Sequence, residues 1–544
     1  MAYEHANYRG KRFLFFCGRD SYHSHWNDRI SSIRIPKNKQ VKVCEHTRGR
    51  GKCQTFTGNV SWIGKAMNDK ASSMYQYGYS ASNCINAYEH SSYRGKKYMF
   101  CSPGHKEKFS NWNDRISSIS IPSGKKVRVC HHVGHHSNGT PYGRAPCRSY
   151  FSSVANVGDF MNDKISYIEF GNFDSNNFTI LFGSDTQLYW ECSTDECRSR
   201  ASGEKNQGNL SNDWHRRSMM TLAGKIGFSK FAGVVLNGDL TAFGQPNEIK
   251  RYKDYWERGL TLNLWPGLGN HDYANNVNDC WNNRCAPAMV NYLNDRVRSL
   301  NVTGFDWSVG NTYYKFPIRR RQHKGSLVYS WDIGKYHFVQ LNNYPYYQTN
   351  FSTWNYGKAR REYYSIKPNM NWLKNDLNRA KNAGKQIILN YHDPGDYWGR
   401  HRQVFFNQLQ HYPILAIFVG HVHERVGKVW SEIVGRRYVP VIFGGSAQYN
   451  NYVRANFKKD RLEIYVIEAI KGRHDIKSGP YVIYHDGHEV TPPPTDPPDY
   501  KKPPFIGIGL PPIGTAGGII IKPFYLKDFS GKVRTYDLQN IKWD

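Results

Sequence analysis

Two patterns of hydrophobic positions divide the chain. Up to residue 171, apolar side chains come in short alternating runs, "KRFLFF" and "KKVRVC" among them, with Gly and Asn between. A period of two broken by turn residues predicts short β-strands with one buried face, packed as a sandwich. From Asn172 the apolar runs lengthen and fill with β-branched residues. They alternate with stretches of helical period such as "NMNWLKNDLNRAKNAGK", Asn369 to Lys385. Strands alternating with amphipathic helices predict an α/β domain. That texture persists to Glu489, where "VTPPPTDPPDYKKPPF" predicts a semi-extended linker into a Gly/Ile-rich tail, Ile506 to Asp544. The domain division read from the sequence is 1–83, 84–171, 172–489 and 490–544.

The alternating half is a duplication. "YEHANYRGKRFLFFC" at Tyr3 returns as "YEHSSYRGKKYMFC" at Tyr88, "WNDRISSIRIP" at Trp26 as "WNDRISSISIP" at Trp112, and "VKVCEH" at Val41 as "VRVCHH" at Val127. Each unit ends on a variant of one phrase, "MNDKASSM" at Met67 and "MNDKISYI" at Met161. One Asn-Asp-x-x-Ser phrase beside a strand reads as a turn. Four at equivalent positions supply hard oxygen donors, which is calcium chemistry. The tract "HHVGHH", His131 to His136, lies in a motif's loop and reads as loop before transition-metal site.

This half resembles the βγ-crystallin superfamily over residues 1–171. The resemblance implies two all-β domains of two Greek-key motifs, each motif with a calcium signature. It implies side-chain ligands at Asp28, Ser31, Asp69, Ser72, Asp114, Ser117, Asp163 and Ser166, with backbone carbonyls completing each shell. The last copy carries Tyr167 where the pattern has Ser.

In the α/β half, the ends of the apolar runs repeat one theme. "FTILFGSD" stops at Asp185 and "FAGVVLNGD" at Asp239; "LTLNLWPGLGNHD" reaches Asn270, His271 and Asp272. "KQIILNYHDP" reaches His392, and "ILAIFVGHVH" reaches His421 and His423. Five strand-like segments each deliver a ligand-type residue at the C-terminal edge, where open α/β sheets build their sites. Two divalent cations ~3.5–4 Å apart need an anionic bridge, and Asp239 on its tight "NGD" turn is the natural one. Imidazole donors suit Zn, Mn or Fe better than Mg or Ca.

With these residues placed, 178–489 resembles the calcineurin-like metallophosphoesterases, the fold shared with purple acid phosphatases and acid sphingomyelinases. The resemblance implies a four-layer α/β sandwich. It assigns Asp185, Gln187, Asp239 and His423 to one metal, and Asp239, Asn270, His392 and His421 to the other. His271 becomes the histidine that contacts phosphate and protonates the leaving group, oriented by Asp272. The implied reaction is hydrolysis of phosphate mono- or diesters by a two-metal-activated hydroxide. Gln187 stands where His is commoner, which weakens or hardens the first metal site. "LTAFG" after Asp239 lacks the tyrosine that colours the purple enzymes. Basic and aromatic segments, "RRRQHKGS" (Arg319 to Ser326) and "PGDYWGRHRQ" (Pro394 to Gln403), are expected to line the substrate pocket.

Cysteine and charge place these domains. Four of the 11 cysteines form the tight pairs Cys192/Cys197 and Cys280/Cys285, whose spacing favours disulfides over zinc. With six N-x-S/T sequons, this leads to the expectation of a secreted protein whose leader is absent from this sequence. No apolar stretch approaches the ~20 residues of a membrane helix. The net charge is +30, and residues 1–171 hold 26 Lys and Arg against 11 Asp and Glu. Such a surface suits docking on an anionic lipid, lipopolysaccharide or glycan. Nucleic acid is less favoured, because no interleaved basic-aromatic groove is present. Alternatives are an adhesin or toxin-like binder with a weakened phosphoesterase domain, and a nuclease.

Overall fold

The computed structural model describes the chain outside residues 14–18, 22–26, 36–39, 47–49, 78–83, 101–104, 109–113, 132–133, 136–140, 143–146, 159–160, 189, 261, 314–318, 396–397, 400, 488, 491–523, 528–532 and 537–544. Contacts group it into two units, Met1–Pro492 and Pro493–Asp544. In the second, strands Phe524–Lys527 and Val533–Tyr536 pair as an antiparallel hairpin.

Each N-terminal repeat folds as a three-stranded and a four-stranded sheet. In the first, Arg9–Phe13, Ala2–His5 and Ser32–Ile33 form the smaller sheet, and Arg19–Ser21, Ser73–Tyr77, Gln40–His46 and Arg50–Phe56 the larger. The strand Arg19–Ser21 thus leaves its own motif to pair with the next, the crossing that defines a Greek key. His105–Lys108 makes the same crossing in the second repeat, pairing with Ile165–Asn172. Alternation drives the packing: Val41 and Val43 are fully buried with Ile30, Ile33 and Met74, and Val127 and Val129 with Ile116, Ile168 and Phe170.

The α/β domain is built on two sheets face to face. One has seven strands and includes Phe178–Gly183, Phe231–Leu236 and Leu264–Pro266 side by side and parallel. The other has nine and includes the parallel strands Tyr336–Gln340, Gln386–Asn390, Ile414–Val419 and Arg437–Gly444. Phe182 of the first stacks on Phe418 of the second, ring centres 3.7 Å apart. Outside the nine-stranded sheet, helices Met370–Asn382 and His401–Gln408 bury Leu373, Leu377, Phe405 and Phe406 against Val339, Leu389 and Ile417. Helix Glu204–Ile226 covers the other sheet with Met219 and Leu222. Helix–sheet–sheet–helix is the four-layer order. The helical stretch predicted from Asn369 begins there, with the Asn369 side chain accepting from Trp372 N–H at 3.1 Å as N-cap.

The second β domain is docked on the α/β domain. Lys126 is buried, and its ammonium donates to the carbonyls of Phe231 (2.6 Å) and Phe228 while lying 4.0 Å from the centre of the Phe228 ring. Phe151 packs on Phe173 at 4.7 Å and stacks over Trp265 at 6.4 Å. Burial, with Arg128 nearby, pulls the Lys126 amine down to about 7 against the opposing pull of Glu169.

Candidate metal centre

The ligand-type residues named at the strand ends converge. His392 Nε2 lies 3.2 Å from Asp239 Oδ2 and 3.0 Å from Asn270 Oδ1, and His421 Nδ1 lies 3.1 Å from the same Asn270 oxygen. His423 Nε2 lies 3.3 Å from Asp185 Oδ1. Donor atoms of Asp239, His392 and His421 lie within 4.8 Å of one another, as do those of Asp185, Asp239 and His423. Asp239 belongs to both groups. Gln187 joins them through its amide, which donates to Asp239 Oδ2 at 3.0 Å.

The backbone is strained to present this set. Asp185 (φ 50°), Gln187 (φ 26°), Asp239 (φ 50°) and His421 (φ 72°) all sit in the left-handed region, which costs a non-glycine residue about 1–3 kcal/mol each. Of the three glycines preceding ligands, only Gly238 needs a positive φ, 89°. Gly269 is required for space: a Cβ there would fall 2.2 Å from Asp239 Oδ1 and 2.8 Å from the His392 ring.

Charge is concentrated among buried groups. Burial opposes ionisation of Asp185, but the imidazoles of His392 and His423 and the Ser184 hydroxyl hold its carboxyl down to about 2. Against burial, Asp239 and Asp185 raise His392 to about 10. Against burial, Asp185 and the Gln448 side chain raise His423 to about 9. His421 is lowered, by burial and by the neighbouring His392. A cation that takes these nitrogens displaces their protons, so metal uptake and proton release are coupled.

Two oxygens test whether the residues fit a metal. Asp185 Oδ2 accepts from His421 N–H at 3.0 Å and from Ser184, while Asp185 Oδ1 is buried with no hydrogen-bond partner other than the facing His423 Nε2 at 3.3 Å. Gln187 Oε1 is buried with no hydrogen-bond partner. Orphaned buried oxygens cost free energy unless a donor or a cation meets them. Both belong to the same expected metal shell, and the tautomers agree: His392 Nδ1 is held by the Asn237 carbonyl (2.8 Å) and His423 Nδ1 by Gln448, leaving Nε2 of each turned to the carboxylates. The donor set fits divalent cations.

His271 and Asp272 behave differently from expectation. The His271 ring is oriented through Nδ1 by the carbonyl of Ala242 at 2.8 Å, and its backbone N–H donates to Asp239 Oδ1 at 2.9 Å. Among the described contacts Asp272 makes none with that ring. Its carboxyl is fully buried and accepts from the backbone of Leu240 (3.0 Å), Thr241 (2.9 Å) and Gly269 (2.9 Å) and from the Thr241 hydroxyl (2.9 Å). It ties the Asn270–Asp272 loop to the turn after Asp239, a positioning role. Burial and the nearby Asp239 charge push it up to about 7, against the pull of those donors.

The signature residues of the β domains pair across motifs. Ser72 donates to Asp28 Oδ1 at 3.3 Å, and Ser166 to Asp114 Oδ1 at 3.4 Å. Ser117 and Asp163 share one cavity of about 470 Å³ with Glu89, whose carbonyl accepts from Ser117 at 2.8 Å. Ser31 repeats that bond to the Glu4 carbonyl at 2.8 Å, and Asp69 lies exposed in the corresponding loop. The aspartate of one motif therefore works with the serine of its partner, because the strand crossing brings the two loops together. The histidine tract lies partly outside the described residues.

Of the two expected pocket segments, one lies elsewhere. Arg319 to Ser326 belongs to the strand Arg319–Ile333, and its Gln322, His323 and Lys324 line a separate cavity of about 790 Å³ with Asn282, Asn350 and Tyr363. No metal-centre residue lines it. In the other segment Trp398 turns inward, its indole N–H bonded to the Asp393 carbonyl at 3.0 Å; residues 396, 397 and 400 lie outside the described set. Disulfides join Cys192–Cys197 and Cys280–Cys285. Two more, Cys44–Cys53 and Cys130–Cys147, bridge neighbouring strands at equivalent places in the two repeats. The recurrence of Cys in "VKVCEH" and "VRVCHH" was the available signal.

Aromatic residues at the centre escaped the motif reading because no spacing marks them. Trp190 meets His271 edge-on at 5.3 Å and His423 at 6.1 Å, and Phe243 lies 6.3 Å from His271.

Residues 178–425 match the family model described as calcineurin-like phosphoesterase. Among solved structures, the chain is similar to a double mutant of a βγ-crystallin domain from Clostridium beijerinckii, with 31% identity over 14% of this chain and 93% of that one, TM-score 0.14. It is similar to a βγ-crystallin domain from Flavobacterium johnsoniae, with 24% identity over 14% of this chain and 91% of that one, TM-score 0.14. A third is the Ca2+-bound βγ-crystallin domain of Abundant Perithecial Protein from Neurospora crassa, with 19% identity over 18% of this chain and 94% of that one, TM-score 0.14. A search of curated proteins finds no match. Residues 178–425 thus match the calcineurin-like phosphoesterase family, and they follow an N-terminal region similar to βγ-crystallin domains.

Proposed function

We propose that the protein is a secreted, metal-dependent hydrolase of phosphate esters whose centre holds two divalent transition-metal ions, Zn, Mn or Fe. The observation that carries this reading is the buried, unpartnered Gln187 Oε1 beside Asp239, a carboxylate shared by two donor groups. Asp185, Gln187, Asp239 and His423 would hold one ion, and Asp239, Asn270, His392 and His421 the other. When bound, the ions supply Lewis acidity for the phosphoryl oxygens and activate water at neutral pH.

The chain's own residues do the rest. Asp239 is oriented by the His271 N–H and the Gln187 amide, each of which donates to one of its two oxygens. With Nδ1 engaged by the Ala242 carbonyl, His271 presents Nε2 to the ester and gives its proton to the departing oxygen. Asp272 keeps His271 and Asp239 in register without touching the ester.

The β domains, in this reading, bind calcium at the four loops and present a basic surface to an anionic lipid, lipopolysaccharide or glycan. Four described disulfides support an oxidising, extracellular setting. The test is hydrolysis of a phosphomonoester, a phosphodiester, a phospholipid and DNA by the full chain loaded with Mn²⁺ or Zn²⁺. Turnover of either small ester supports the reading; turnover of DNA alone favours a nuclease, and none of the four favours a binding protein.

A further inference from the structure

The rim of the metal centre beside His271 is aromatic. Trp190 stands nearly perpendicular to the His271 imidazole, 79° at 5.3 Å, and to the His423 imidazole, 86° at 6.1 Å. Phe243 lies 6.4 Å from Trp190 and 6.3 Å from His271 and is 47% exposed. A phenyl ring so open needs an explanation, because leaving it in water forfeits its burial free energy.

Both rings are positioned by their backbones. Trp190 N–H donates to the Gln187 carbonyl at 2.8 Å, tying it to a ligand residue, and the Cys192–Cys197 disulfide follows two residues on. Phe243 N–H donates to Glu248 Oε2 at 2.9 Å, and the same oxygen accepts from Gln245 N–H at 3.0 Å. The rings therefore form a wall beside the His271 imidazole. The two rings themselves offer π faces and edges and no charge.

We infer that Trp190 and Phe243 select esters whose leaving group carries a planar aromatic ring, seated against the two side chains beside His271. This rests on the phosphoesterase reading for its chemistry, and it is a statement about binding that can be tested without turnover.

The probes are benzyl, cyclohexylmethyl and ethyl phosphate, whose leaving alcohols differ in ring character more than in acidity. With the full chain loaded with Mn²⁺ or Zn²⁺, kcat/KM for benzyl phosphate should exceed that for cyclohexylmethyl phosphate about 2- to 10-fold, the range of an aromatic contact. In Trp190→Ala and in Phe243→Ala the ratio should fall toward one, and Trp190→Phe should recover most of it. Calorimetry with benzylphosphonate and ethylphosphonate gives the second readout, with the benzyl compound bound more tightly by the wild type only. Equal treatment of benzyl and cyclohexylmethyl esters, or a ratio unchanged in both alanine variants, overturns the inference. Failure to hydrolyse any ester would break the phosphoesterase reading instead. The phosphonates would then decide alone, with equal affinities overturning the aromatic rim.

Discussion

The two halves of the molecule use the same backbone device for different ends. In the β domains Asp28, Asp69, Asp114 and Asp163 lie at φ 52–58°, and in the α/β domain Asp185 and Asp239 lie at φ 50°. Each places a carboxylate on a left-handed residue at the end of a strand or turn. The surroundings differ. Asp185 and Asp239 are at most 2% exposed and ringed by imidazoles, whereas Asp28, Asp69 and Asp163 are exposed and Asp114 half-buried. A buried, strained, preformed donor set holds cations tightly and tunes their charge. A surface loop with hydroxyl and carbonyl donors holds a hard cation that exchanges with solvent. The contrast teaches that a shared local conformation says nothing of affinity until burial and neighbours are known.

The largest expected break in that contrast is Asp239→Asn. Removing the shared anion should lower kcat/KM on the order of a thousandfold with the fold retained, measured on the best ester of the panel. The matching change in a β domain, Asp28→Asn, should leave kcat unchanged within about twofold.

Next comes pH. With His392 held at about 10 and His423 at about 9, protons occupy the nitrogens that a cation needs. Transition-metal affinity, read by competition with a fluorescent chelator, should rise about tenfold per pH unit for each proton displaced between pH 6 and 9. A flat profile would contradict these two raised values. Calcium affinity of the β domains should change far less over the same range.

Gln187 sets a smaller effect. Gln187→His should tighten the first metal several-fold by replacing a neutral oxygen with imidazole, and Gln187→Leu should weaken it about tenfold, both read by equilibrium dialysis.

The smallest effect distinguishes the crossed calcium loops. Calcium should raise the melting temperature of the full chain by a few degrees, through preferential binding to the native state. Asp28→Ala and Ser72→Ala should each remove the same part of that rise, and the double variant no more than either alone. Additive losses would mean that the two residues serve different sites.

Legibility in the sequence follows the same division. The convergence of the strand-end residues could be read because each stands where a continuous apolar run stops, so strand geometry carries them to one edge. The Asn-Asp-x-x-Ser phrases could be read because they recur four times. Their cross-motif pairing could not, since it depends on the strands Arg19–Ser21 and His105–Lys108 crossing to the other sheet. Adjacency to His271 suggests a partner for Asp272, whereas the described partners of its carboxyl include Leu240 and Thr241, about thirty residues upstream and met through backbone N–H groups. In "RRRQHKGS" four basic residues hide a strand whose neighbours, not its own pattern, make it pair. Trp190 and Phe243 carry no motif at all and become visible only as distances to His271.

The central claim is that Asp239 joins two metal sites in one centre. Elemental analysis of the purified full chain, after Mn²⁺ or Zn²⁺ loading and removal of loose metal, tests it most directly alongside Asp239→Asn. The account predicts about two transition-metal ions per wild-type chain and one or fewer in the folded variant. A wild type that retains none, or a variant that still holds two, would contradict it.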